Sequence, residues 1–194
     1  MVQTMYEKVG SPMKHASFSW WRLSPLLTFI ILAGLFWAGL SLTPAKLPLV
    51  QINQKMPAFD LPLLQHSAKS FKSQALAGQV YLLNFWASWC EACSHEQNLL
   101  LDLAAHHVVI MGINYKDSPD SARSWLKTWG NPYKAVVQDI SGHFAIDLGV
   151  YGTPETFLID AKGIIRARHA GILTAEVWQK ELLPLYQKWQ THAT

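Results

Sequence analysis

The sequence predicts an α/β domain built on a mixed sheet and set behind one N-terminal membrane-spanning helix. Three observations lead there. A long uncharged apolar run stands near the N-terminus. Strand-length apolar stretches and helix-favouring stretches then alternate from Gln79 to Gly130. Two later strand-like runs, "ETFLID" and "IIRARHA", are separated by "AKG" (Ala161–Gly163). Turn residues between two such runs make a hairpin, which adds antiparallel pairing to the alternating part.

Composition is compatible with this. Half of the 194 residues are hydrophobic and 15% are charged, enough for a filled core in one domain plus an appendage. The net charge of +3 does not mark a nucleic-acid surface. Residues 1–46 hold four basic residues against Glu7, whereas residues 47–194 hold twelve of each sign. The basic excess belongs to the N-terminal segment, so no nucleic-acid partner is expected for the domain.

Between Arg22 and Lys46 lie 23 residues without a charge, centred on "LLTFIILAGLFWAGLSL". About 20 apolar residues span a ~30 Å hydrocarbon core, and Trp20, Trp21 and Trp37 suit its boundaries. The run exceeds the roughly 7–15 residues of a signal-peptide core, and no A-x-A cleavage site follows. An uncleaved anchor over 23–45 is therefore expected. The basic residues Lys8, Lys14 and Arg22 before it place the N-terminal segment, 1–22, in the cytoplasm. Residues 46–55 read as a linker and 56–194 as the globular domain.

Within the domain, Asp60 begins the first strand region. "QVYLLNFWA" (Gln79–Ala87) is a nearly continuous apolar run, as in a strand covered on both faces. "EACSHEQNLLLDLAAH" (Glu91–His106) favours helix, with Leu99, Leu100 and Leu103 toward the core and His106 and His107 at its end. "HVVIMGIN" is a second buried strand. "SPDSARSWLKTWG" opens with Ser118 as N-cap and Pro119 at the first helical position, and closes on Gly130. "YKAVVQD", a short helical "HFAIDLG" and the hairpin follow. Residues 174–190 form one final amphipathic helix with Thr174 as N-cap. Trp125, Trp129, Trp178 and Trp189 recur at helical spacing and are expected at the core or its edge rather than around a cofactor. His143 and His169 are expected at the surface or in packing.

The only cysteines, Cys90 and Cys93, fall in "FWASWCEACSHEQ". Cys90 lies where a buried strand turns into a helix, facing unpaired backbone N–H groups and the positive end of the helix dipole. Both favour thiolate, which makes Cys90 the nucleophile. Cys93, one turn on, lies on the same face and is sheltered by the helix. An exposed attacking thiol and a sheltered resolving thiol are what disulfide exchange needs. The rivals fit less well. Structural zinc takes four ligands, and a copper site would have to recruit His95, His143 or His169 without ligand spacing. No metal site and no cofactor are therefore expected. A cysteine hydrolase lacks an identifiable His base, and a staple closing so short a loop adds little stability.

"LLNFWASWCEACSHEQ" together with "GVYGTPETFLIDAKGIIRARHAG" (Gly149–Gly171) resembles the DsbE/CcmG family of membrane-anchored, thioredoxin-like proteins of bacterial cytochrome c maturation. The resemblance covers roughly residues 50–190. It implies a thioredoxin-like fold, a mixed β-sheet flanked by helices, held on the periplasmic face of the inner membrane. It implies a specific reductant that receives electrons from a DsbD-type membrane reductase. Those electrons pass to the haem-binding cysteines of apocytochrome c, directly or through another maturation protein.

By the same resemblance, Cys90 and Cys93 are the redox pair and Pro154 is the cis-proline facing them. Thr153 presents backbone groups to a bound peptide. Trp89 precedes the first cysteine, and Glu96 and Glu155 match acidic residues of the family site. Glu91 departs from the proline common in thioredoxins. Two readings of Glu91 stand: its charge raises the Cys90 pKa and makes a stronger reductant, or it serves only the helix dipole. Two other functions compete. One is a broader periplasmic reductant of the TlpA or ResA sort, and the other is a module that binds apocytochrome or copper through its thiols.

Overall fold

The computed structural model describes residues 24–41 and 52–191. Two compact units divide at Leu47 and Pro48. In the first, α1 (Ser24–Ser41) is an 18-residue helix. At 1.5 Å per residue it is about 27 Å long. Among the described residues no helix is long and apolar enough to cross a membrane. Leu23, residues 42–45 at the far end of the expected anchor, Trp20, Trp21, the segment 1–22 and residues 46–51 of the linker lie outside the described residues.

The second unit is a three-layer domain around a five-stranded sheet, in the order β5-β4-β3-β6-β7. Its strands are β3 (Tyr81–Trp86), β4 (Ile110–Tyr115), β5 (Ala135–Asp139), β6 (Glu155–Ile159) and β7 (Ile165–Ala170). β3, β4 and β5 run parallel. β6 and β7 are antiparallel to their neighbours, so the sheet is mixed. A small hairpin of β1 (Asp60–Pro62) and β2 (Ser70–Lys72) precedes it. β2 is not evident from the sequence, being three residues with a single apolar one among them.

β3 is central and every residue in it is buried. Successive side chains point to opposite faces. Leu82 and Trp86 therefore enter the core under α2 (Glu91–Ala105), α3 (Pro119–Trp129) and the C-terminal helix. Tyr81, Leu83 and Phe85 enter a second core with Phe59, Phe157 and Phe144 of α4 (His143–Asp147). Leu100 and Leu103 of α2 are buried and Leu99 is partly so. α3 has the expected ends: the Ser118 hydroxyl accepts from Ser121 N–H, and Gly130 at φ 90° ends the helix where a side chain would be strained.

The C-terminal helix differs from expectation. Thr174 does cap it, accepting from Val177 N–H. It is not one regular helix, however, but α5 (Ala175–Val177), a π segment (Trp178–Leu182) and α6 (Leu183–Thr191). Pro184 supplies the reason. It has no N–H for the carbonyl four residues back, and its ring crowds that carbonyl. Trp178 is nevertheless core, Trp125 and Trp189 sit at the core edge, and Trp129 is 48% exposed.

The chain joins this domain at the pole opposite the C-terminal end of β3. Asn53 N–H donates to Ile165 O, Ile165 N–H donates to Gln54 O, and Met56 N–H donates to Gly163 O. These contacts hold it against the turn between β6 and β7.

Candidate active site

Four residues, 87–90, separate β3 from α2, and they form a tight turn in which Cys90 N–H donates to Ala87 O at 3.2 Å. Cys90 is then the N-cap of α2. Its Sγ accepts the Cys93 N–H at 3.2 Å, so the sulfur does occupy the position where unpaired helix N–H groups converge. Cys90 and Cys93 are joined as a disulfide, with Cα atoms 5.4 Å apart. Cys90 is less exposed than the sequence suggested: the pair is 6% and 1% accessible, with Cys90 the outer sulfur. Both pack on the α2-side core, with Cys90 the more accessible of the two.

The start of β6 lies beside this turn. Glu155 pairs with Phe85, one residue before the end of β3, so the preceding Thr153–Pro154 segment sits at the same end of the sheet. The Thr153–Pro154 bond is cis, and the buried Thr153 hydroxyl has no hydrogen-bond partner. Trp89 is 58% exposed, yet its indole N–H donates to Lys116 O at 3.1 Å. Glu91 is exposed in the first turn of α2.

Glu96 stands one turn beyond Cys93 on the same face of α2 and is 1% exposed. Its Oε1 accepts from Asn84 Nδ2 at 2.8 Å and its Oε2 from Leu173 N–H at 2.7 Å. Burial pushes its pKa up to about 7, against the lowering effect of those two bonds. Asn84 in turn accepts from the Tyr133 hydroxyl at 2.8 Å and donates to Thr156 Oγ1 at 3.0 Å. Desolvation also holds the buried Tyr133 hydroxyl well above its ordinary pKa, with the Glu96 charge adding to it.

Glu155 is equally buried but belongs elsewhere. It pairs with Arg168 on β7. Burial raises its pKa in spite of that guanidinium. The resemblance put Glu96 and Glu155 in one site, beside the Glu91 that follows Cys90, and the sheet separates Glu155 from the two residues of α2. Thr156 reaches Asn84 and hence the Glu96 side of the sheet. Its neighbour Glu155 must point to the other side, where Phe157 packs on Phe85.

Asn84 and Arg168 were missed from sequence. The signal for Asn84 was present, since a lone polar residue inside an apolar strand must find buried partners. Among the described residues, no group of three or more His, Cys, Asp or Glu is placed to hold a metal ion.

The Redoxin family model matches residues 51–181. The thiol:disulfide interchange protein DsbE of Pseudomonas aeruginosa is 45% identical over 166 residues, covering 86% of this chain and 92% of that protein. The chain belongs to the DsbE family. The Escherichia coli K12 DsbE is 42% identical, covering 88% of this chain and 96% of its own. The fold is shared more widely. A secreted Mycobacterium tuberculosis disulfide oxidoreductase, homologous to E. coli DsbE, superposes with a TM-score of 0.56 at 21% identity. That match covers 67% of this chain and 95% of the other. As a DsbE protein with a thioredoxin-like fold, the chain is a thiol–disulfide oxidoreductase.

Proposed function

We propose that the protein is a specific reductant of the haem-binding cysteines of apocytochrome c, anchored in a bacterial inner membrane with its catalytic domain in the periplasm. What carries the reading is the vertical arrangement of the site: an outer sulfur at a helix N-terminus, an inner sulfur, and a buried carboxyl one turn further in. In the reduced protein, the Cys90 thiolate attacks one sulfur of the target disulfide. That S–S bond breaks and the first target sulfur leaves, to take up a proton. Cys93, the less accessible of the pair, then loses its proton toward the Glu96 carboxylate and attacks the Cys90 sulfur. The second target sulfur leaves and the Cys90–Cys93 bond forms. Two electrons and two protons pass to the target, and an equal number must return from a dithiol donor, which we take to be a DsbD-type membrane reductase. Trp89 beside Cys90, with Thr153 and Pro154 at the same end of the sheet, would receive an extended target segment.

The anchor is supported by the run of 23 uncharged residues, which extends past α1 at both ends. At 1.5 Å per residue such a run covers about 35 Å, enough for the hydrocarbon core.

A Cys93→Ser variant should accumulate targets as mixed disulfides on Cys90, because nothing remains to release them. Mass mapping of the trapped species identifies the target bound to Cys90, and an absence of adducts, or adducts trapped instead through Cys93 in a Cys90→Ser variant, refutes the assignment. In cells lacking the protein, a loss confined to c-type cytochromes is expected. A wider loss of thiol-dependent assembly would mean a broader reductant.

A further inference from the structure

The turn that presents Cys90 is held from outside its own segment. Ser88 and Trp89 are its two central residues, and each is tied to the loop between β4 and α3, 27 to 29 positions away. Asp117 makes the main tie. Its Oδ2 accepts from Ser88 N–H at 2.7 Å and from Asn114 Nδ2 at 2.9 Å. Its Oδ1 accepts from the Ser88 hydroxyl at 2.7 Å and from Ser118 N–H at 2.8 Å. Lys116, next door, accepts the Trp89 indole N–H through its carbonyl and donates its own N–H to Asp139 O at 3.0 Å. The backbone at Lys116 has φ 44°, a conformation that non-glycine residues seldom adopt.

We infer that Asp117 is a positioning residue for disulfide exchange: it fixes the Ser88–Trp89 turn so that the Cys90 sulfur stays at the N-terminus of α2 when the disulfide opens. The chemistry requires a carboxylate. Each oxygen receives two donors, and only a carboxylate offers acceptors on both sides. An amide in its place must turn an NH2 group toward a backbone N–H whichever way it is flipped, that of Ser88 on one side or that of Ser118 on the other.

The consequence lies in the reduced state. In the oxidised protein the covalent bond itself restrains Cys90. Once it is reduced, the turn geometry alone keeps the sulfur against the Cys93 N–H and the helix dipole, which are what favour thiolate. The charge of Asp117 acts in the opposite sense, since a nearby anion disfavours a thiolate. Neutralising Asp117 therefore has two effects of opposite sign on Cys90. Losing the charge lowers the pH at which the thiol ionises, and losing the position raises it. The inference is that position wins. It rests on Cys90 being the attacking thiol.

The test is alkylation of the reduced full-length protein with iodoacetamide across pH, with each cysteine followed by mass mapping. The ionisation midpoint is the readout, because a more basic thiolate is also more nucleophilic and the rate alone understates the change. Asp117→Asn should move the Cys90 midpoint up, with the thiolate fraction at a pH below it falling about tenfold per unit moved. Ser88→Ala keeps the charge and loses one bond, so it should move the midpoint in the same direction by less. It decides the matter if Asp117→Asn does not fold. Ser118→Ala removes the α3 cap but leaves the carboxylate bonds in place, and should lower stability without moving the midpoint. A midpoint that falls or stays in Asp117→Asn overturns the inference, as does an unmoved one in Ser88→Ala. Labelling of Cys93 before Cys90 in the wild type would overturn the attacking-thiol assignment and this inference together.

Discussion

At Glu96, desolvation and hydrogen bonding pull in opposite directions, and desolvation wins. The ordinary value of 4.5 becomes about 7. Between those values the folded protein holds a proton that the unfolded chain has released. Stability from this group is thus fully present below about 4.5 and is lost as pH rises through about 7, by on the order of 3 kcal/mol. Glu96→Gln, which cannot titrate, should flatten that slope in the oxidised protein, although its amide cannot accept from both Asn84 and Leu173. Urea unfolding at pH 5 and pH 7.5 measures it, and an equally steep wild-type-like slope in the variant would place the titration elsewhere. Glu155 shows the other way to bury a carboxylate. Arg168→Gln removes its ion-pair partner and should destabilise by about 3–5 kcal/mol at neutral pH. The loss should shrink in acid, where Glu155 takes a proton instead, and denaturant midpoints at pH 4.5 and 7.5 check the sign. Glu91 carries no such argument, because it is solvent-exposed.

At the scale of the element, β3 and β4 owe their function to close packing under α2. Gly112 of β4 is where the Tyr133 ring comes nearest: a Cβ there would lie 2.8 Å from Tyr133 Cγ and 3.0 Å from Trp86 Nε1. The Tyr133 ring stacks on Trp86, and its hydroxyl supports Asn84 and through it Glu96. Gly112→Ala should cost about 1–3 kcal/mol by overpacking. Because the displaced ring carries the hydrogen bond to Asn84, the pH slope assigned to Glu96 should change as well. A variant with wild-type melting temperature and slope would mean that the strand pair yields without strain. Much of this layer was legible in sequence, since β3, β4, α2 and α3 are bounded by local signals. The π segment was not, because it expresses one proline acting inside a periodicity that otherwise reads as uniform helix.

At the scale of the whole domain, the redox pair and the point of chain entry stand at opposite ends of the sheet. Residues 53–56 pair with the β6–β7 turn, and the Asn53 side chain accepts from Arg166 at 2.8 Å. A domain trimmed to begin at Met56 loses the three bonds made by Asn53 and Gln54. At about 1 kcal/mol per hydrogen bond, it should be less stable by roughly 2–3 kcal/mol than one beginning at Pro48. Its disulfide exchange should be unchanged, since the site is at the other pole. Paired measurements of urea midpoint and exchange rate separate the two effects, and a fall in both would couple the poles.

The sequence by itself determined what depends on neighbours along the chain. Two cysteines three apart at a strand-to-helix junction, Ser118–Pro119 at one helix start, Gly130 at its end and "AKG" at the hairpin each act within a few residues, where backbone geometry and capping chemistry suffice. The family motif around Pro154 was legible for the same reason. Only the tertiary structure decided what the acidic residues meet. Glu155 and Thr156 are adjacent in the chain yet face opposite sides of the sheet, so one joins Arg168 and the other joins the Asn84–Glu96 network. The burial of Glu96, the support of Asn84 by Tyr133 and the hold of Asp117 on Ser88 all join residues far apart in the chain. Such contacts follow from strand register and from which helix covers which face. A register slip of one residue would exchange those faces, and the identity of the residues alone does not set it.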